Sequence, residues 1–176
     1  MALMIRHRQV VADSWQLLKP AADGGVAVPA AGDVIVPLDV WCKQRDALLA
    51  RTGRLGVWLD SHEDPARIVN DLRHFALVAV NFPQFTNGRG YSIARVLRER
   101  FGWRGELRAI GDVLRDQLFY LARCGFDAFD LRADQDARAA LAAFESFSEA
   151  YQSSVERPQP LFRRRGLGTP EGMGRA

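Results

Sequence analysis

Short β-branched or apolar runs alternate with amphipathic stretches along most of the chain. Val34-Ile35-Val36 is a strand-like run ended by Pro37. Asp39 is placed to cap a helix carrying Trp41, Leu48 and Leu49, and Gly53 stops it. Leu55 to Leu59 is the next strand. Asp64-Pro65 then reads as an N-cap with proline at the first helical position, and Ile68, Val69 and Leu72 form that helix's apolar stripe. Phe75 to Phe82 is the longest apolar run and predicts a central strand buried on both faces. A helix over 91–101 follows, with Ile93, Val96, Leu97 and Phe101 on one side. Glu106 to Ile110 is a strand. Val113 to Cys124 is a helix with Leu114, Leu118 and Leu121 inward, closed by Gly125. Ala128 to Leu131 is a last short strand. Asp134 is placed to cap a final helix that buries Leu141, Phe144, Phe147 and Tyr151.

Strand and helix thus alternate through repeated β-α units. That order predicts an α/β fold with a mostly parallel sheet and right-handed crossovers. A flavodoxin-like open sheet and a partial (β/α) barrel both fit. Residues 3–18 read as one or two short strands, so 1–32 is an N-terminal β segment and loop. The β/α domain spans 33–157. The Pro-, Arg- and Gly-rich stretch 158–176, which includes Arg163-Arg164-Arg165, is expected to be mostly disordered. In either architecture the loops after the strands share one rim, where ligands bind.

Composition narrows the function classes. A chain of 176 residues with 48% hydrophobic and 26% charged positions is ordinary for one globular domain. No apolar run reaches the roughly 20 residues that span a bilayer. The start, broken by Arg6, His7 and Arg8, is too short for a signal-peptide core. The expected location is the cytoplasm, with Cys42 and Cys124 reduced. Two distant cysteines and three scattered histidines make no metal, siroheme or iron–sulfur ligand set. Redox metal chemistry would then belong to a partner. The net charge of +3 comes from arginines interspersed with acids, not the basic face of a nucleic-acid binder.

The loop from Asn81 to Gly90 opens directly into a helix. Asn87, Gly88, Arg89 and Gly90 there form a candidate anion cradle. The plainer reading makes the two glycines a turn and Asn87 a cap. Gly88 and Gly90 with Asp112 also partly match a dinucleotide fingerprint, which is the ground for an NADPH reading. Ile93 stands where its third glycine belongs. Asp112 and Arg115 follow the fourth core strand and Arg132 the fifth. Arg89, Arg115 and Arg132 together would suit an oxyanion or an acidic partner surface. Asp60, Ser61 and His62 are weaker rim residues, and no nucleophile is tied to His62. Cys124, at a helix C-terminus, reads as a packing residue.

Four blocks resemble one family: Asn81-Phe-Pro through Gly88-Arg-Gly-Tyr-Ser, Gly105-Glu-Leu-Arg-Ala, Gly111-Asp-Val-Leu-Arg-Asp-Gln, and Arg123-Cys-Gly-Phe-Asp-Ala-Phe. This is an uncharacterised bacterial family, usually encoded beside the sulfite reductase haemoprotein and labelled as oxidoreductases of sulfite reduction. The resemblance implies an accessory protein of assimilatory sulfite or sulfate reduction, with that haemoprotein as partner. It carries no established catalytic residue. Two other readings stand beside it. One is an NAD(P)-dependent oxidoreductase of the same pathway. The other is a non-catalytic scaffold whose open sheet edges are covered by a second copy or a partner.

Overall fold

A computed structural model describes residues 3–21, 24–145 and 154–155. Strands β1 (Leu3–Arg6), β2 (Gln9–Ala12) and β3 (Gln16–Leu17) come first. Five β-α units follow. They comprise β4 (Val34–Pro37) with α1 (Leu38–Ala50), and β5 (Leu55–Leu59) with a 3-10 helix at Pro65–His74. Next are β6 (Leu77–Phe82) with α2 (Arg89–Arg95), which runs into a π-helical turn at Val96–Arg100. Then come β7 (Glu106–Gly111) with α3 (Leu118–Arg123), and β8 (Ala128–Phe129) with α4 (Ala137–Ala140). Phe147, Tyr151 and the Arg-rich C-terminal stretch lie outside the described residues.

The strands form one eight-stranded sheet in the order β2-β1-β8-β7-β6-β5-β4-β3. Pairs from β3 through β8 are parallel, while β1 pairs antiparallel with both β2 and β8. β4 to β8 run in chain order with no reversal. A flavodoxin-type sheet reverses its order at a switch point, so that alternative is not the one adopted. Sequential crossovers place the described helices on one face, and the sheet curls as an open half-barrel.

Alternation along the strands separates two cores. Val34, Val36, Val57, Val78, Val80, Leu107 and Phe129 pack against helix residues such as Trp41, Ile68, Leu97 and Leu121. The opposite face buries Ile35, Leu77, Ala79 and Ile110, with Trp15, Leu17 and Trp58 against them. The segment around β3 covers that face in part, for Trp58 Nε1 donates to the Leu18 carbonyl at 2.9 Å.

Arg108 also belongs to this inner face and is 1% exposed. Its Nη1 donates to Asp13 at 2.9 Å and its Nε to Glu106 at 2.9 Å. Nη2 sits 2.7 Å from the same Glu106 oxygen without hydrogen-bond alignment. A residue just after β2 is thereby fixed to β7 across 95 positions of sequence.

Two expected caps move. Pro37 is the N-cap of α1, with Asp39 inside its first turn. Asp136, not Asp134, caps α4 by accepting the Arg138 and Ala139 N–H groups. Asp134 is drawn off by Arg132, as described below. Asp64 caps the 3-10 helix as the sequence predicts, accepting from the Ala66 N–H.

Candidate functional site

The parallel strands deliver their C-terminal ends to one rim, where Asn81, Asp112 and Arg132 all lie. Register fixes a polar layer inside it. Val80 pairs with Leu59, Asn81 with Ile110, and Phe129 with Ala109. Asp60, Asn81, Ile110 and Asp130 therefore stand side by side at the top of the inner face. Asn81 Nδ2 approaches Asp60 Oδ1 at 3.5 Å. Burial pushes the Asp130 carboxyl above its ordinary range, and nearby Asp13 adds to this while Arg108 and Lys19 oppose it. Asp130 was not singled out from the sequence, and Asp60 only weakly. A signal was present: each is the first polar residue after an apolar strand, at the parity of the inward positions.

The loop after β6 is held from both sides. Asn87 Nδ2 donates to Ser61 Oγ at 2.9 Å, and Ser61 is 6% exposed. Asn87 Oδ1 accepts the Arg89 N–H at 3.1 Å from the position before the N-cap Gly88, which makes no side-chain cap. The two glycines differ. A Cβ on Gly88 would meet nothing within 4 Å, whereas one on Gly90 would stand 2.5 Å from the Phe82 ring. Gly90 is thus required by helix-on-strand packing. The Arg89 N–H is already used by Asn87, which leaves little of an anion cradle. The Arg89 guanidinium is exposed and makes no ion pair among the described residues.

Asp112 is not a helix cap. One of its oxygens accepts the Phe85 N–H at 2.9 Å and the other accepts from Arg132 Nη1 at 2.8 Å. Arg132 also grips Asp134 through Nε at 2.6 Å and Nη2 at 2.8 Å. Hydrogen bonds to Asp134 and then Asp112 raise the Arg132 pKa, and Arg132 holds the Asp134 carboxyl well below its usual range. A cavity of about 480 Å³ gathers Arg115 and Arg132 together with Asp116, Asp134 and Asp136. Three carboxylates against two guanidiniums do not favour a free oxyanion there. Arg89 does not line this cavity. The expected three-arginine cluster thus separates into a neutralised Arg132, Arg115 beside it, and Arg89 on the neighbouring loop.

Gln117 joins the two loops. Its Nε2 donates to the Phe85 carbonyl at 2.9 Å and to the Tyr91 hydroxyl at 3.2 Å, while its Oε1 accepts the Leu114 N–H. Cys124 is buried, 3% exposed, and burial raises its thiol pKa. A second cavity of about 360 Å³ opens at the opposite end, between His7, Arg8, Asp127 and Phe144. Among the described residues no group of three His, Cys, Asp or Glu side chains is placed to hold a metal ion. No described helix is long and apolar enough to cross a membrane.

Residues 56–162 match the model of a family described as bacterial protein of unknown function (DUF934). The chain belongs to that family. No curated protein and no solved structure matches it.

Proposed function

We propose that this protein is an accessory component of assimilatory sulfite reduction that acts by docking a protein of the reductase system at its rim. The pathway rests on the resemblance carried by the Asn81–Ser92, Gly105–Ala109, Gly111–Gln117 and Arg123–Phe129 blocks. The mode of action rests on one observation about charge. Arg132 is occupied by Asp112 and Asp134, whereas Arg89 and Arg115 keep their guanidiniums unpaired among the described residues. Side chains spread over two loops suit a macromolecular surface better than a small oxyanion, which needs convergent donors.

The nicotinamide reading has less support. Asp112, its ribose-binding acid, is committed to Arg132 and the Phe85 N–H. Ile93, at the third glycine position, is 6% exposed and packed into the core.

The test is reconstitution. The purified sulfite reductase haemoprotein should co-purify with the chain and gain sulfite-reducing activity when it is added. Haemoprotein that neither retains the chain nor changes its rate contradicts the proposal.

A further inference from the structure

The rim carries an apolar feature that the ion pairs do not explain. Phe85 and Tyr120 are 51% and 55% exposed, unusual for large aromatics. They are linked through Tyr91 and Gln117, Phe85 by its backbone carbonyl. The Tyr91 and Tyr120 rings lie 5.0 Å apart, and Gln117 ties Tyr91 to the Phe85 carbonyl. The Tyr91 ring packs edge-on against buried Phe82 at 5.3 Å, so the Tyr91–Tyr120 pair stands on the core. Arg89 is the first residue of α2, at the end of the loop that carries Phe85, and Arg115 opens the turn that carries Gln117.

We propose that Phe85, Tyr91 and Tyr120, flanked by Arg89 and Arg115, form a docking surface for an acidic face of a folded partner protein. Rigid aromatic side chains and arginine are the residue types that dominate interface energetics. Neither flanking guanidinium forms an ion pair among the described residues, but Arg115 shares its cavity with Asp116, Asp134 and Asp136, so Arg89 is the main cation for a partner carboxylate. Single-stranded nucleic acid, which needs a continuous basic groove with stacking rings, is disfavoured because only Arg89 and Arg115 flank the rings and Arg95 is taken up by Glu99 at 3.0 Å. This inference deepens the docking reading above and rests on it.

The experiment captures the purified sulfite reductase haemoprotein on the immobilised full-length chain. The wild type is compared with Tyr120→Ala, with Arg89→Glu/Arg115→Glu, and with Leu49→Ala on distant α1 as control. Circular dichroism verifies that each variant is folded. Wild type and control should bind alike. Tyr120→Ala should weaken binding at least about tenfold. The double charge reversal should abolish it, and raising salt from about 50 to about 300 mM should weaken the wild type severalfold. Wild-type capture that the patch variants leave unchanged overturns the surface assignment and leaves the docking reading standing. No capture by the wild type overturns both. Patch variants that only break self-association in light scattering assign the surface to a second copy and overturn the proposal.

Discussion

Arg132 Nη1 stands 2.8 Å from Asp112 Oδ1, and this contact joins the loops that follow β7 and β8. The second Asp112 oxygen reaches on to the Phe85 N–H in the loop after β6. One carboxylate therefore fixes three neighbouring rim loops. Asp112→Ala should destabilise the protein by about 1–2 kcal/mol in urea unfolding. It should also speed hydrogen exchange at the Phe85 amide. Unchanged exchange there would show that the loop is held by other contacts.

Gly88 and Gly90 make a paired test of cradle against packing. Gly90→Ala drives a methyl into the Phe82 ring and should cost about 1–3 kcal/mol. Gly88→Ala meets open space at a negative φ and should stay within about 0.5 kcal/mol of wild type. Equal costs for the two would contradict the packing account.

Arg108 is the centre of the inner face. Removing it leaves Asp13 and Glu106 without their shared cation. Arg108→Ala should cost about 3–5 kcal/mol by chemical denaturation. A loss below about 1 kcal/mol would mean that the cluster relaxes freely into water.

Asp130 sets a pH dependence. Its folded pKa lies above its unfolded value, chiefly through burial. The contribution to stability is therefore fully present below the unfolded pKa of about 3.9 and is lost as pH rises through the folded pKa. At neutral pH, far above the unfolded pKa, Asp130→Asn should be more stable than wild type. Below about pH 3.5 the wild-type carboxyl is protonated and that advantage should disappear. An advantage of the same size at both pH values would remove ionisation as its cause.

NADPH should give no saturable change in tryptophan fluorescence up to about 1 mM. Saturable binding in the micromolar range would restore the cofactor reading of Gly88, Gly90 and Asp112.

The β-α alternation was legible because each buried strand is a short apolar run and each helix carries a one-sided stripe. The apolar run Phe75–Phe82 holds the central strand Leu77–Phe82, with Phe75 ending the preceding 3-10 helix, and its one polar residue, Asn81, marks the rim. Strand order was not legible. The N-terminal hairpin joins β8, more than 100 positions away, through pairs such as Ile5 with Phe129, and local periodicity carries no trace of that choice. The Asp134 cap failed for a local reason. Spacing pointed to Asp134, but its neighbour Arg132, two residues earlier, holds that carboxylate, and Asp136 caps the helix. Arg89, Arg115 and Arg132 were found by type and position, but their unequal pairing depended on side-chain geometry.

The central claim is a role in sulfite reduction, and growth tests it most directly. A strain lacking this protein should grow poorly on sulfate or sulfite as sole sulfur source, and normally on cysteine. The wild-type chain should restore growth, while the Arg89→Glu/Arg115→Glu variant should not. Normal growth of the deletion strain on sulfite would contradict the account.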